Sequence, residues 1–125
     1  MKIATAKDWK TEPLPEEYVE LTFDLLLDQK QSDAVRRGLV PDDMGHRWFS
    51  YFENNVLYQF RSWSGFCVDE ISFKDEGGLL RVVSAKVNRN RDQYDNADND
   101  QDIRRITEML TEFYPQDPYN DRMDL

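Results

Sequence analysis

Between residues 47 and 63 apolar and polar positions alternate with a period of two. One face of 47–53 carries Arg47, Phe49, Tyr51 and Glu53, and the other Trp48, Ser50 and Phe52. After Asn54-Asn55 the alternation restarts, with Val56, Tyr58, Phe60 and Ser62 on one side and Leu57, Gln59, Arg61 and Trp63 on the other. An Asn-Asn pair tolerates the positive φ that a two-residue type I′ turn demands, so 47–63 reads as an antiparallel hairpin. Ser64-Gly65 interrupts the run, and glycine in such a place marks a bulge or a close approach by another backbone or a ligand. A strand resumes over 66–73, a turn follows over 74–78, and the β-branched run 79–87 supplies another strand.

Helical spacing predicts the flanking elements. Leu14, Tyr18, Leu21 and Leu25 recur at helical intervals behind Pro13 and Pro15, which a first helical turn tolerates, giving a helix through about residue 29. Residues 30–45 mix a short helix around Ala34 with a loop over 38–45. Ile103, Ile106, Leu110 and Phe113 form a second apolar stripe, with Asp98, Asn99 and Asp100 as N-cap candidates and Pro115 closing the helix. The fold class expected is α+β: an antiparallel sheet of three to five strands with two main helices packed on one face.

Length and charge narrow the picture. A chain of 125 residues with 39% hydrophobic content builds one modest core, so residues 1–125 read as a single domain. No apolar run reaches the roughly 18 residues of a membrane span, and the first ten residues lack the apolar core of a signal peptide, so a soluble, cytoplasmic protein is expected. The lone Cys67 fits a reducing compartment. The net charge of −9 argues against nonspecific binding to nucleic acid. Most of that acidity lies in the C-terminal segment 92–125, which includes the helix at about 101–113 and carries ten acidic and three basic residues. A second acidic stripe, Glu17, Glu20, Asp24 and Asp28, would run down one side of the first helix, either as a solvated face or as a surface presented to a basic protein partner.

The acidic run 95–102 invites a calcium reading, and the spacing rejects it. With the loop starting at Asp98, Ile103 stands where an EF-hand needs glycine and Met109 where it needs a bidentate glutamate. Capping and the helix dipole explain the run, and neither a metal nor a cofactor motif occurs elsewhere. His46 and Cys67 offer acid-base or nucleophilic chemistry, but no second catalytic group accompanies either. Arg47 and Arg61 are the better candidates. The hairpin register sets Arg47 beside Arg61, and two guanidiniums near Tyr51, Tyr58 and Trp63, with Ser62 and Gly65 adjacent, suit a phosphate or carboxylate while a ring stacks on a base. The bland alternative pairs these arginines with Glu53, Asp69 or Glu70 across the sheet.

The segment RWFSYFENNVLYQFRSWSGFC resembles a motif of small, poorly characterised bacterial proteins: an Arg-Trp-Phe strand, an acidic turn, a Leu-Tyr strand, then Arg-Ser-Trp-(Ser/Thr)-Gly. The resemblance spans about residues 46–71. Such segments sometimes accompany ADP-ribose-processing macro domains, which implies a nucleotide or ADP-ribose-like ligand and no catalytic residues to carry over. Three function classes follow. The first is a non-catalytic binding or regulatory module with its surface at Arg47, Tyr51, Tyr58, Arg61, Ser62, Trp63 and Gly65. The second is an acidic interaction protein (immunity, antitoxin or anti-defence inhibitor) that binds a basic target through Glu17, Glu20, Asp24 and Asp28. The third, ranked last, is a small enzyme using His46 or Cys67.

Overall fold

The hairpin forms as its turn chemistry dictates. In the computed structural model, which describes residues 3–119, Asn54 and Asn55 take φ of 53° and 62° and join strand β2 (Trp48–Glu53) to β3 (Val56–Arg61). Three further strands, β1 (Tyr18–Leu26), β4 (Cys67–Glu76) and β5 (Leu79–Asn88), complete a five-stranded antiparallel sheet in the order β1-β5-β4-β3-β2. Two helices, α1 (Gln29–Arg37) and α2 (Asn99–Glu108), make the architecture α+β. The chain continues from α2 through a wider π-type turn at Met109–Phe113 and a short 3-10 turn at Tyr114–Gln116. Among the described residues no helix is long and apolar enough to cross a membrane.

The first helix does not lie where the sequence spacing put it. Leu14 precedes β1, and Tyr18, Leu21 and Leu25 belong to that strand. YVELTFDLL satisfies two periodicities at once, and burial alternates along it: Val19, Leu21, Phe23 and Leu25 turn inward while Tyr18, Glu20, Thr22, Asp24 and Leu26 turn outward. Valine, threonine and two aromatics favour the extended form, and β5 offers an edge to pair with, from Tyr18↔Asn88 to Leu26↔Arg81. The helix begins only at Asp28, whose carboxylate accepts the Gln31 N–H at 2.8 Å while the Gln31 side chain accepts the Asp28 N–H at 2.9 Å.

That correction dissolves the acidic stripe. Glu20 and Asp24 share the outward face of β1, but Asp24 pairs with Arg81 at 2.6 Å, Asp28 caps α1, and the Glu17 carboxylate accepts from the Asn90 side chain at 3.4 Å, so the four do not line one side of a helix. The second helix stands close to expectation. Asp98 caps it, accepting N–H groups from Asp100 and Gln101, and Ile106 and Leu110 are fully buried. The acidic segment 92–125 runs past the described residues.

Both helices cover the same face of the sheet. Ala34 and Val35 of α1, with Ile106, Met109, Leu110 and Tyr114, pack on Leu21, Leu57, Ile71, Phe73, Val82, Ala85 and Val87. The opposite face carries a smaller cluster of Phe49, Phe60 and Cys67, over which residues 4–14 lay Ala4, Trp9 and Leu14. Three bonds pin that N-terminal strap. The Ala4 N–H donates to the Arg37 carbonyl, the Trp9 indole N–H to the Ser62 carbonyl at 2.8 Å, and the Glu12 N–H to the Gly65 carbonyl at 2.7 Å. Gly38, at φ 72°, lets the strap and β2 converge: a Cβ there would meet the Ser50 carbonyl oxygen at 2.4 Å.

Candidate functional site

The candidate site lies at the open end of the β2–β3 hairpin. Opposite the Asn-Asn turn, Trp48 pairs with Arg61, and the Ser62 N–H donates to the Arg47 carbonyl at 2.9 Å. The register sets Arg47 diagonally beside Arg61; strict alternation would turn the two to opposite faces, but Arg47 lies just before β2, outside the strand, and both line the same cavity. They line a cavity of about 470 Å³ with Met44, Gly45, Trp63 and Ser64. Two of the six lining residues are arginines and none is acidic, in a chain whose net charge is −9. Trp63 and Met44 form its outer walls, 73% and 83% exposed. The Ser64 hydroxyl accepts the Phe66 N–H at 3.1 Å, which leaves its own proton to donate.

The loop that carries Trp63 and Ser64 is held from behind. Ser62 is buried, its hydroxyl donating to the His46 carbonyl at 2.8 Å, and its carbonyl accepts the Trp9 indole. Gly65 takes φ 79° against the backbone of Lys10, where an added Cβ would stand 3.2 Å from the carbonyl oxygen. Ser62 and Gly65 thus shape the cavity without lining it. Tyr51 and Tyr58 do not come to it at all. They lie on the opposite face of the sheet, stacked on each other at 4.9 Å beside Phe49 and Phe60.

Beneath the cavity, under α2, lies a layer of charge that the sequence reading did not identify. The Arg61 guanidinium sits 4.4 Å above the Trp48 ring and 5.9 Å from the Tyr94 ring. Arg105 approaches the same two rings at 5.6 and 5.7 Å. Arg105 grips Asp69 with a two-pronged pair of bonds, both 2.7 Å, and reaches Asp102 at 3.1 Å. Asp102 also accepts the Tyr94 hydroxyl at 2.6 Å and pairs with Arg89 at 2.8 Å. Gln59 donates to Asp69 at 2.6 Å and accepts from Tyr114, whose hydroxyl lies 2.8 Å from that of Ser50. Ser50, Gln59 and Asp69 occupy the inward phase of three neighbouring strands, opposite one another in register, and all three are fully buried. Polar residues at inward positions of adjacent strands were the available signal.

Electrostatics separates the two central arginines. Burial works against the charged form of Arg105, but Asp69 and its hydrogen bonds hold the guanidinium pKa above the ordinary arginine value. Arg61 has no such partner: among the described residues no carboxylate stands within ion-pair distance of Arg61 or Arg47. Burial lowers the Arg61 pKa, and the neighbouring cations Arg105 and Arg47 push the same way, against opposing contributions from Tyr94 and Asp69. The cross-sheet pairing of Arg47 and Arg61 with Glu53, Asp69 or Glu70 is therefore not formed; Asp69 belongs to Arg105.

His46 and Cys67 are placed differently from a nucleophile and its base. Cys67 is 1% exposed within the Phe49–Phe60 cluster, and burial raises its thiol well above the ordinary value, disfavouring the thiolate. The His46 ring stacks on Tyr119 at 3.8 Å, with Nδ1 3.0 Å from an Asp42 carboxylate oxygen. Among the described residues no cluster of three or more His, Cys, Asp or Glu side chains is placed to hold a metal ion. No family model, curated protein or solved structure matches the chain.

Proposed function

We propose that the protein is a non-catalytic binding module that holds a nucleotide-like or other anionic group in the cavity between Arg47, Arg61 and Trp63. The observation that carries this reading is the state of Arg61. A half-buried guanidinium without a carboxylate in contact is unfavourable for the folded chain, because it loses hydration while Asp69 acts on it only from beyond ion-pair distance. The aspartates nearby are already matched by Arg105 and Arg89. An anion entering the cavity would supply the missing partner, and an exposed indole at its mouth would supply a stacking surface. A thermal-shift screen of ADP-ribose, nucleotides and cyclic dinucleotides tests the reading. A ligand at 100 times its Kd stabilises by about 2.7 kcal/mol, and replacing Arg47 and Arg61 with alanine should remove the shift while leaving the fold intact. Absence of any shift in the parent protein would refute it.

A basic protein partner is the second reading, and one observation favours it at a new place. A cavity of about 410 Å³ beside α2 is lined by Trp48, Arg105, Glu108, Met109, Glu112, Phe113 and Gln116. Two carboxylates four residues apart over an aromatic floor suit a lysine or arginine side chain inserted from outside. Reversing Glu108 and Glu112 to lysine should then abolish capture of such a partner, whereas reversing Glu17 and Glu20 should not.

A further inference from the structure

The cavity between Arg47 and Trp63 is graded from inside to outside. At its floor lies the half-buried Arg61, stacked on Trp48; Arg47 is exposed, and so are Trp63 and Met44, at 73% and 83%. The half-buried cation Arg61 is innermost, and exposed apolar surface stands beside Arg47 towards the outside. A ligand with a charged end and a flat end therefore has one orientation that matches both. Its anion lies against the guanidiniums, where the partial burial of Arg61 strengthens the charge-assisted bonds, and its ring lies at the mouth, where the exposed indole offers a face.

The charge count selects the anion. Behind the cavity, Asp69 and Asp102 are matched by Arg105 and Arg89. Arg61 and Arg47 remain, two cations with no described carboxylate in ion-pair distance, and none lines the cavity. A single carboxylate or phosphodiester, each carrying one negative charge, leaves one of them uncompensated, and a diphosphate diester carries two charges but has a substituent at each end and cannot enter phosphate-first. A terminal phosphate carries close to two negative charges at neutral pH and presents three acceptor oxygens, enough for two forked donors and the Ser64 hydroxyl.

We infer that the occupant is a nucleoside monophosphate or a similar terminal phosphomonoester, bound phosphate-first on Arg61 and Arg47 with its planar base against Trp63. This rests on the anion-binding reading of the cavity and adds to it the class of phosphate and the direction of entry. Geometry contributes a further condition: Trp63 must be held at the mouth by its neighbours, which the Trp9 bond to the Ser62 carbonyl and the strap over Gly65 accomplish.

Calorimetric titration of the full chain with the four nucleoside 5′-monophosphates, adenosine, 3′,5′-cyclic AMP, ADP-ribose and inorganic phosphate tests the inference, with tryptophan emission as a second readout. At least one monophosphate is expected to bind and to quench emission. Cyclic AMP and adenosine should each bind at least about tenfold more weakly than the adenosine monophosphate, the loss of one charge-assisted contact. Affinity should rise from pH 5 to pH 7.5, as the phosphate loses its second proton near pH 6. Trp63→Leu should reduce the monophosphate's affinity to that of inorganic phosphate, whereas Arg61→Met should abolish binding of both. Cyclic AMP or ADP-ribose matching the best monophosphate, or Trp63→Leu leaving its affinity unchanged, would overturn the phosphate-first inference. The anion-binding reading would survive that result as long as Arg61→Met still abolished binding. Failure of every anion to bind the parent protein would overturn both.

Discussion

Arg105 and Arg61 face the same indole and teach different things about it. Under α2, Arg105 is locked into a two-pronged contact with Asp69, shares Asp102 with Tyr94 and Arg89, and leaves no charge unmatched. At the cavity, Arg61 covers the Trp48 ring more closely, at 4.4 Å against 5.6 Å, and has no carboxylate. One region uses its charges to hold α2 on the sheet; the other leaves a charge available. Removing a group from the first should therefore damage the fold, and removing one from the second should damage only binding.

The largest effect is expected from Arg105→Ala. Asp69 is fully buried, and its remaining donor, Gln59, carries no charge to balance it. Breaking a buried pair by removing one partner is destabilising by about 3–5 kcal/mol. Urea unfolding of the variant should show most of the chain's marginal stability gone. A loss below about 1 kcal/mol, the range of exposed pairs, would show that water reaches Asp69 and that the layer is not sealed.

Acid should loosen the same region next. Burial alone would raise the Asp102 pKa, but the Tyr94 hydroxyl, Arg105 and Arg89 outweigh it and hold the carboxyl below the ordinary aspartate value. A group depressed in the folded state contributes stability that is fully present above its unfolded pKa, about 3.9, and is lost as pH falls through the folded value. Unfolding free energy should thus fall from about pH 4 downward. Asp102→Asn should be less stable than the parent at pH 7 and should lose less on acidification. Parallel pH profiles for the two proteins would remove Asp102 from the network.

Much of this contrast is legible in the sequence, and the gaps have physical causes. The Asn54-Asn55 turn fixed the hairpin register and with it the meeting of Arg47 and Arg61, because a two-residue turn leaves no freedom to slip. The cap at Asp98 and the stripe of Ile103, Ile106 and Leu110 located α2. Residues 18–26 misled because their apolar positions fit the helical period and the strand period together; the arbiter was the unpaired edge of β5, a tertiary fact. Tyr51 and Tyr58 lie close to Arg61 along the chain, but alternation sets them on the other face of the sheet from it. Arg105 meets Trp48, and Tyr94 meets Arg61, only when the chain after β5 folds over the sheet, so no local pattern announces them.

The smallest effect on stability and the sharpest test of the comparison is Arg61→Met. Methionine keeps the length of the stem and a polarisable tip over the Trp48 ring while deleting the charge. Three arginines, Arg61, Arg89 and Arg105, face two aspartates, Asp69 and Asp102, in the layer beneath α2. Deleting Arg61 removes the surplus charge and its repulsion of Arg105 and leaves every pair intact. The lost cation–π contact is worth about 0.5–2 kcal/mol, and relief of a desolvated, unpartnered cation opposes it, so the net change should lie within about 1 kcal/mol of zero and either sign is allowed. Equilibrium unfolding measures it. A loss near that of Arg105→Ala would mean that Arg61 braces the fold as Arg105 does, and the distinction between a structural and an available guanidinium would fall with it.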